Sequence, residues 1–148
     1  YLCLFTLPGI PSIYYGGEWG VEGKRSNTSD EALRPAFSMD QADELHCELT
    51  DFLSAMGRIH DGNQEFHGGR YQELLLTNRQ YAFARLDETD ALITAVNNDE
   101  NQSAGVWIPA SCDGTWKNAV TGEAISPENG KLFVEVPPCG CVLIEKEA

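Results

Sequence analysis

The stretch that decides the fold class is YQELLLTNRQYAFARL, Tyr71 to Leu86. Two runs rich in aliphatic and aromatic residues, 71–76 and 80–86, are separated by the turn residues Thr77 and Asn78. Two such runs on either side of a short polar turn are typical of a β-hairpin, because these residue types favour extended backbone and Asn tolerates turn conformations. The stretch therefore predicts a pair of antiparallel strands.

More short runs of the same kind follow the hairpin, with turn residues such as Asp113-Gly114 and Asn129-Gly130 between them. They are ALITAV (91–96), GVWIP (105–109), TWKNAV (115–120), EAI (123–125), KLFVEV (131–136) and CVLIE (141–145). Several strands at near-regular spacing, with no helix among them, are typical of a sandwich. We therefore predict that the chain is mainly β and that residues 63–148 form an antiparallel β-sandwich.

Upstream of the strands, QADELHCELTDFLSAMGRIH (41–60) has the period of an amphipathic helix. Asp40 is the expected N-cap, and Asp61-Gly62-Asn63 is expected to end the helix. Residues 21–39 are polar and irregular and predict a long loop. Within the loop Asp30 and Arg34 stand four residues apart, so we expect them to pair.

The segment LPGIPSIYYGGEWG, Leu7 to Gly20, is apolar and rich in Pro and Gly. Its run Ser12 to Tyr15 predicts a short parallel strand buried on both faces and stopped by Gly16-Gly17. One strand, one loop and one helix cannot complete a parallel sheet, because such a strand needs neighbours. An orphan strand leaves unpaired backbone and an apolar patch, so we expect residues 1–20 to pack on a second copy, giving self-association, or on the sandwich.

The charge balance narrows the classes of partner. Twenty-three acidic residues against ten basic ones give a formal net charge of −13. A field of that sign repels phosphate backbones and anionic lipid surfaces, which argues against nucleic acid and membrane partners. No apolar run approaches the roughly 20 residues that span a bilayer. The start at Tyr1 has neither Met nor a basic region, so we expect no signal peptide and a chain cut from a longer one.

The cysteines and histidines predict no metal site and no cofactor. Five Cys residues make an odd count, and Cys139-x-Cys141 lacks the second pair that a zinc site needs. The three His residues show no ligand spacing with it. We interpret the thiols as reduced and structural, and a cytoplasmic location is favoured.

The candidate chemistry lies in the apolar segment, where Glu18 is flanked by Tyr15 and Trp19. Aromatic faces beside a carboxylate suit a sugar ring, but hydrolysis of a glycosidic bond needs two carboxylates. Composition alone favours a second interpretation: Tyr14, Tyr15 and Trp19 are core residues, and Glu18 pairs with a nearby base such as Lys24 or Arg25. The residues alone indicate a sugar-compatible loop with an incomplete site.

The string LPGIPSIYYGGEWGVEG (7–23) resembles the last barrel strand of the α-amylase family, glycoside hydrolase family 13, with its pattern T-x-P-G-I-P-x-I-Y-Y-G-x-E-x-G. The helix at 41–60 resembles the eighth barrel helix of that family. YAFAR, ALITAVNND, WKNAVTGE and VEVPPCGCVLI are similar to stretches of its C-terminal all-β domain.

The resemblance implies that residues 1–62 are the last β/α unit of an incomplete (β/α)8 barrel and residues 63–148 the C-terminal domain. It implies retaining cleavage of α-glucosidic bonds in an α-glucan or maltooligosaccharide by the longer parent. The catalytic carboxylates of the family lie on earlier strands, so no catalytic residue is expected here and the chain alone should be inert. Tyr15, Glu18 and Trp19 are then substrate-binding residues at the rim. The alternative is a carbohydrate-binding or stabilising β-sandwich module.

Overall fold

The computed structural model describes residues 1–88 and 90–147. Its eight strands confirm the predicted β pattern, and each bound lies within two residues of the predicted one. They are β1 (Arg70–Leu76), β2 (Gln80–Leu86), β3 (Ala91–Asn97), β4 (Ala104–Pro109), β5 (Trp116–Asn118), β6 (Ala124–Ile125), β7 (Lys131–Val136) and β8 (Cys141–Lys146).

The strands form two sheets in which every pairing between neighbours is antiparallel. The large sheet has six strands in the order β1-β2-β3-β8-β5-β6, and the small sheet pairs β4 with β7. The predicted hairpin is the β1–β2 pair, in which Arg70 lies opposite Leu86 and Leu76 opposite Tyr81. The pairing register shifts between Glu73 and Leu75.

The two sheets face each other across one apolar core, which confirms the predicted sandwich. The burial pattern of the small sheet shows which face meets this core: β7 alternates strictly between exposed and buried residues along Lys131–Val136. Such alternation turns one face of a strand to the core and the other to water. The buried members of this core are Ala82, Ala84, Ala91, Ile93, Ala95, Ile108, Trp116, Leu132, Val134, Val136 and Ile144.

Helices cover the opposite face of the large sheet. The helices are α1 (Leu2–Thr6), α2 (Ala42–Leu45), α3 (Glu48–Gly62) and α4 (Gln64–Gly68), of which α2 buries no residue and the other three make the covering layer. A second apolar cluster joins this helical layer to the sheet; its buried members are Leu2, Phe5, Leu53, Met56, Phe66, Leu92 and Leu143. Strand β3, covered on both faces, is therefore buried almost throughout. Within the described ranges no helix has the length and apolarity to cross a membrane.

The prediction of a strand at Ser12–Tyr15 is wrong. In the structure these residues pair with no strand, and the side chains of Tyr14 and Tyr15 are exposed. The physical reason is that the described residues supply no neighbouring parallel strand to accept the backbone hydrogen bonds. The preceding residues form α1 instead, because Leu2 and Phe5 find an apolar surface on α3 and the large sheet. Residues 1–6 thus pack on the sandwich.

The predicted helix at 41–60 is interrupted. A short 3-10 turn (Met39–Gln41) precedes α2, and the chain is extended at His46 and Cys47 before α3 begins. Asp40 lies inside the 3-10 turn, so it is not the N-cap; Ser38 and Gln41 form the capping box there. A second capping pair, Cys47 and Thr50, starts α3 and so fixes the interruption. The helix ends at Gly62, as predicted.

Candidate functional site

The segment around Glu18 is a tight turn shaped by glycine. Gly16 and Gly20 have φ values of 85° and 66°, and they flank the 3-10 turn Gly17–Trp19. A Cβ atom at position 16 would lie 3.0 Å from the ring of Phe37. Because that contact and the positive φ both disfavour any larger residue, glycine is needed where the turn meets the aromatic side chain.

Two hydrogen bonds hold the turn to the helical layer. The Thr50 hydroxyl at the start of α3 donates to the Glu18 carbonyl at 2.9 Å. The Tyr1 hydroxyl donates to the Gly17 carbonyl at 3.1 Å. These bonds fix the backbone that carries the Glu18 and Trp19 side chains.

Three aromatic side chains meet around the turn. The ring of Phe37, from the long loop, lies edge-on to Tyr15 with centroids 6.1 Å apart and edge-on to Trp19 at 5.2 Å. Such edge-to-face contacts stabilise aromatic clusters beyond simple burial. Phe37 thus fixes both predicted aromatic residues, and the sequence pattern around it gave no signal for that role.

A cavity of about 430 Å³ opens beside this cluster. Its walls include all three predicted binding residues, Tyr15, Glu18 and Trp19, together with Arg34, Phe37 and Met39. The structure therefore brings the predicted residues together, and the loop 21–39 supplies the opposite wall. Arg34, Phe37 and Met39 were not predicted as site residues, because nothing in their spacing shows which way the irregular loop folds.

The Glu18 carboxylate has an unused acceptor. Its Oε2 atom is buried and has no hydrogen-bond partner among the described residues. The second interpretation of Glu18 required an ion pair with Lys24 or Arg25, and neither forms. Arg25 instead pairs with Asp30 at 3.1 Å, so the expected pairing of Asp30 with Arg34 is also wrong. The loop brings Arg25 to Asp30 and leaves Arg34 to line the cavity.

Tyr14 and Tyr15, of which Tyr15 lines the cavity, are not the buried core residues that the second interpretation required. The side chains of Tyr14 and Tyr15 are 60% and 47% exposed. Desolvation raises the pKa of Tyr15 above its ordinary value, and the adjacent Tyr14 adds to the rise. Tyr15 therefore keeps its proton at neutral pH and offers a ring face together with a hydroxyl donor.

The arrangement suits binding of a neutral, hydroxyl-rich ring. Aromatic faces pack on its C–H groups, Glu18 accepts from a hydroxyl, and Arg34 donates. Among the residues that line the cavity, Glu18 is the single carboxylate. Cleavage of a glycosidic bond needs a second carboxylate about 5–9.5 Å away, and the residues that line this cavity supply one carboxylate.

The histidines and cysteines are the next candidates for metal ligands. His60 Nδ1 lies 2.7 Å from the Phe5 carbonyl, and the imidazole stacks on Phe66 at 5.3 Å. No group of three or more His, Cys, Asp or Glu residues that could hold a metal ion occurs in residues 1–88 and 90–147. All five cysteines are free thiols.

Comparison with known proteins finds relatives that include an α-amylase and a neopullulanase. Alpha-amylase MalA of Haloarcula japonica is 34% identical over 124 residues, which cover 81% of this chain and 17% of MalA. Neopullulanase 2 of Thermoactinomyces vulgaris is 27% identical over 140 residues, covering 90% of this chain and 22% of the enzyme. The chain thus spans about a fifth of the length of these curated relatives.

The fold comparison agrees with the sequence comparison. The crystal structure of an Anoxybacillus α-amylase superposes with a TM-score of 0.82 at 19% identity, covering 98% of this chain and 30% of that one. The family model described as the alpha amylase C-terminal all-beta domain matches residues 67–147. Because that match covers more than half of the residues, the chain belongs to the α-amylase family, whose C-terminal all-β domain it carries.

Proposed function

We propose that the chain is the C-terminal portion of a glycoside hydrolase that cleaves α-glucosidic bonds in an α-glucan or maltooligosaccharide. In this proposal residues 63–148 are the β-sandwich domain, and residues 1–62 are the last β/α unit of a (β/α)8 barrel. Cleavage is by the retaining mechanism, through a glycosyl-enzyme intermediate. The carboxylates that carry it out belong to the parent protein and not to residues 1–148.

One observation carries the proposal: similarity to a named α-amylase and a named neopullulanase extends over 81% and 90% of this chain. It therefore runs through the helical layer as well as the sandwich. A free-standing sandwich module would need similarity only within residues 63–148.

Tyr15, Glu18 and Trp19 are the substrate-contacting residues in this proposal. The cavity beside them and the unused Glu18 Oε2 acceptor support that role. Active sites of (β/α)8 barrels lie at the carboxyl ends of the strands. In the proposed parent, the other barrel strands would supply the neighbours that Ser12–Tyr15 lacks among the described residues, and the turn after this segment would then form part of the rim of the site.

The test compares residues 1–148 with a protein that also carries the residues encoded upstream of Tyr1. We expect the longer protein to release glucose units from maltoheptaose with retention at the anomeric carbon, measured by ¹H NMR. Residues 1–148 alone should release none, because one carboxylate is insufficient. Hydrolysis by residues 1–148 alone, or none by the longer protein, would contradict the proposal.

The rim residues are tested in the longer protein. Tyr15→Ala and Trp19→Ala should raise KM about tenfold each with kcat little changed, since roughly 1.4 kcal/mol of binding is a factor of ten. Glu18→Gln keeps the shape but weakens an acceptor, so its effect should be smaller. Val21→Ala, an exposed change close by, is the control. An unchanged KM in the Tyr15, Trp19 and Glu18 variants would contradict the proposal that these residues contact the substrate.

A stabilising role for the sandwich is the second candidate, and one observation favours it. The guanidinium of Arg85 in β2 donates to the carbonyls of Thr6, Phe66 and Gly69 at 3.4, 3.2 and 3.0 Å. A single sheet residue therefore ties α1 and α4 to the sandwich. In the longer protein this role predicts that Arg85→Ala lowers the unfolding temperature and leaves KM unchanged, whereas an altered KM would contradict it.

We also propose self-association through residues 1–20. The exposed apolar side chains of Leu7, Ile10 and Tyr14 support it, and Ile10 is 93% exposed. Sedimentation velocity should show a mass that rises with concentration for residues 1–148. Ile10→Asp should abolish the rise, and Met39→Asp, at an equally exposed site outside the segment, should not. A monomer at all concentrations would contradict the proposal.

A further inference from the structure

The outer face of the small sheet carries an exposed aromatic pair. Trp107 of β4 lies directly opposite Phe133 of β7, and the ring centroids are 5.2 Å apart. The two side chains are 46% and 49% exposed, although β-strand residues that pack no partner are usually polar. We call Trp107 and Phe133 the aromatic platform.

The backbone next to the platform is shaped to admit the rings. A Cβ atom at Gly105 would lie 2.9 Å from the Phe133 ring, so the ring lies over a residue without a side chain. Gly105 itself pairs with Glu135, two register positions from the Trp107–Phe133 pair and on the same face of the small sheet. The absence of a side chain at Gly105 thereby leaves room for the Phe133 ring, which stays about half exposed.

A polar groove of about 500 Å³ adjoins the platform. Phe133 forms one wall, and Glu123, Ser126, Glu128 and Glu135 contribute acceptor oxygens to the others. Hydroxyl groups of a ligand are the natural donors to such oxygens. The combination of an aromatic face with adjacent acceptors is the chemistry that recognises a carbohydrate ring.

Charge argues against an anionic ligand at the platform, and the small contact area argues against a second copy of the chain. The three carboxylates of the groove repel anionic ligands, whereas a neutral polyol carries no such cost. The helical layer lies on the far face of the large sheet, so the described chain leaves the platform uncovered. Two half-exposed aromatic side chains offer roughly 200 Å² of contact, since each can bury about 150–250 Å². A stable dimer needs about 800 Å² per partner.

We propose that the aromatic platform and its groove bind an α-1,4-linked glucan, at a site separate from the cavity of Tyr15, Glu18 and Trp19. The identity of the ligand rests on the proposed α-glucan function. A neutral sugar stacks one ring on Phe133 and Trp107 and directs its hydroxyls to the carboxylates of Glu123 and Glu128. The role is to hold a long substrate chain, and no bond is made or broken there.

The experiment follows the three indole N–H signals of ¹⁵N-labelled residues 1–148 during titration with maltoheptaose. The Trp107 signal should shift and saturate at millimolar sugar. Trp116, which is 1% exposed, is the internal reference and should not move. Phe133→Leu should raise the midpoint of the Trp107 shift at least tenfold, and Trp19→Leu, a change of the same kind at the other site, should leave it unchanged.

Several outcomes would overturn the inference. One is a Trp107 signal that does not move with maltoheptaose. Others are a Trp107 shift with cellohexaose equal to that with maltoheptaose, or a larger Trp107 shift with hexalysine. The last is a Trp107 shift that depends on protein concentration in the absence of sugar. Trp107→Leu, assayed by calorimetry, should abolish the same binding event in a protein whose backbone amide spectrum is otherwise retained. A silent Trp107 with active longer protein overturns this inference alone. A responding Trp107 with inactive longer protein overturns only the proposed enzyme function.

Discussion

Arg85 is a buried cation that has carbonyl groups in place of a carboxylate. The residue is 4% exposed, and among the described residues no acidic oxygen lies within 4 Å of it. Desolvation lowers the pKa of its guanidinium, which still stays protonated at neutral pH because the ordinary value is so high. Among the described residues, the Arg85 guanidinium therefore has three backbone carbonyls as its hydrogen-bond acceptors, those of Thr6, Phe66 and Gly69.

Replacing Arg85 should be costly. Arg85→Ala should lower the free energy of unfolding by at least about 3 kcal/mol, since it removes three hydrogen bonds to a charged group, each worth about 1.5–3 kcal/mol, and leaves the carbonyls buried. Arg85→Lys should retain only part of the stability that Arg85→Ala loses, because an ammonium group cannot reproduce the planar fork of the guanidinium. Urea unfolding gives the values. Arg79→Ala, which breaks a surface pair with Asp99, is the control and should cost under about 1 kcal/mol. Equal costs at both sites would contradict this assignment.

Asp99 makes the stability depend on pH. The backbone N–H groups of Asn101 and Gln102 and the Arg79 guanidinium lower its carboxyl pKa below the ordinary 3.8, against an opposing effect of desolvation. Such a group stabilises the fold above its unfolded pKa, and that stability is lost as the pH falls from about 4 towards the folded pKa. The urea midpoint should therefore fall on acidification less in Asp99→Asn than in the parent chain. Identical profiles would contradict the prediction.

Among single residues, three that line the cavity could be picked out from the sequence, but their surroundings could not. Tyr15, Glu18 and Trp19 stand out because aromatic residues beside a carboxylate are a local pattern. Phe37, which orders two of them, lies in a loop without periodicity, and its contact depends on a backbone path that no local pattern specifies. Thr50 is the same kind of case, because its bond to Glu18 joins residues 32 positions apart.

At the scale of elements, the start of α3 is coupled to the candidate site. The Thr50 hydroxyl accepts from the Cys47 backbone N–H at 3.2 Å and donates to the Glu18 carbonyl at 2.9 Å. One side chain thus caps a helix and holds the 3-10 turn. Because the helix is interrupted at His46 and Cys47, the Thr50 hydroxyl lies between the Cys47 backbone N–H and the Glu18 carbonyl.

Thr50→Val should remove both bonds and keep the volume. We expect the free energy of unfolding to fall by about 1–2 kcal/mol, the usual range for a lost helix cap. The Trp19 indole N–H signal should also shift, because the turn that carries it is released. Thr50→Ser keeps the hydroxyl and is the matched control. A Trp19 signal that stays in place in the valine variant would show that the turn is held by other contacts.

The strands were predicted well and the N-terminal elements were not, for a physical reason. A strand that packs one face shows its alternation directly in the sequence, as Lys131–Val136 does. The segment from Leu2 to Tyr15 is apolar without alternation, so its conformation is set by the partners it meets. Those are α3 and the outer face of the large sheet, which favour a helix at Leu2–Thr6 and leave Ser12–Tyr15 unpaired.

At the scale of the whole molecule, the helical layer completes the sandwich. Residues 63–148 alone would expose Leu92, Leu143 and part of Phe66, each worth about 1.5–3 kcal/mol when fully buried. We expect this shorter chain to unfold at a clearly lower urea concentration than residues 1–148. Residues 42–148, which keep α3, should be intermediate. Equal midpoints for all three would show that the layer adds no stability.

The order of strands in the large sheet has a consequence for biosynthesis. Strand β8 is the last of the eight in the chain, yet it lies between β3 and β5 and joins them. A ribosome releases β1, β2 and β3 early, but they cannot connect to β5 and β6 until Cys141–Lys146 has left the exit tunnel. The nascent chain must therefore keep both halves of an unfinished sheet from pairing elsewhere, with chaperones as the natural protection. A premature stop codon shortly before Cys141 would therefore leave two half-sheets with open edges.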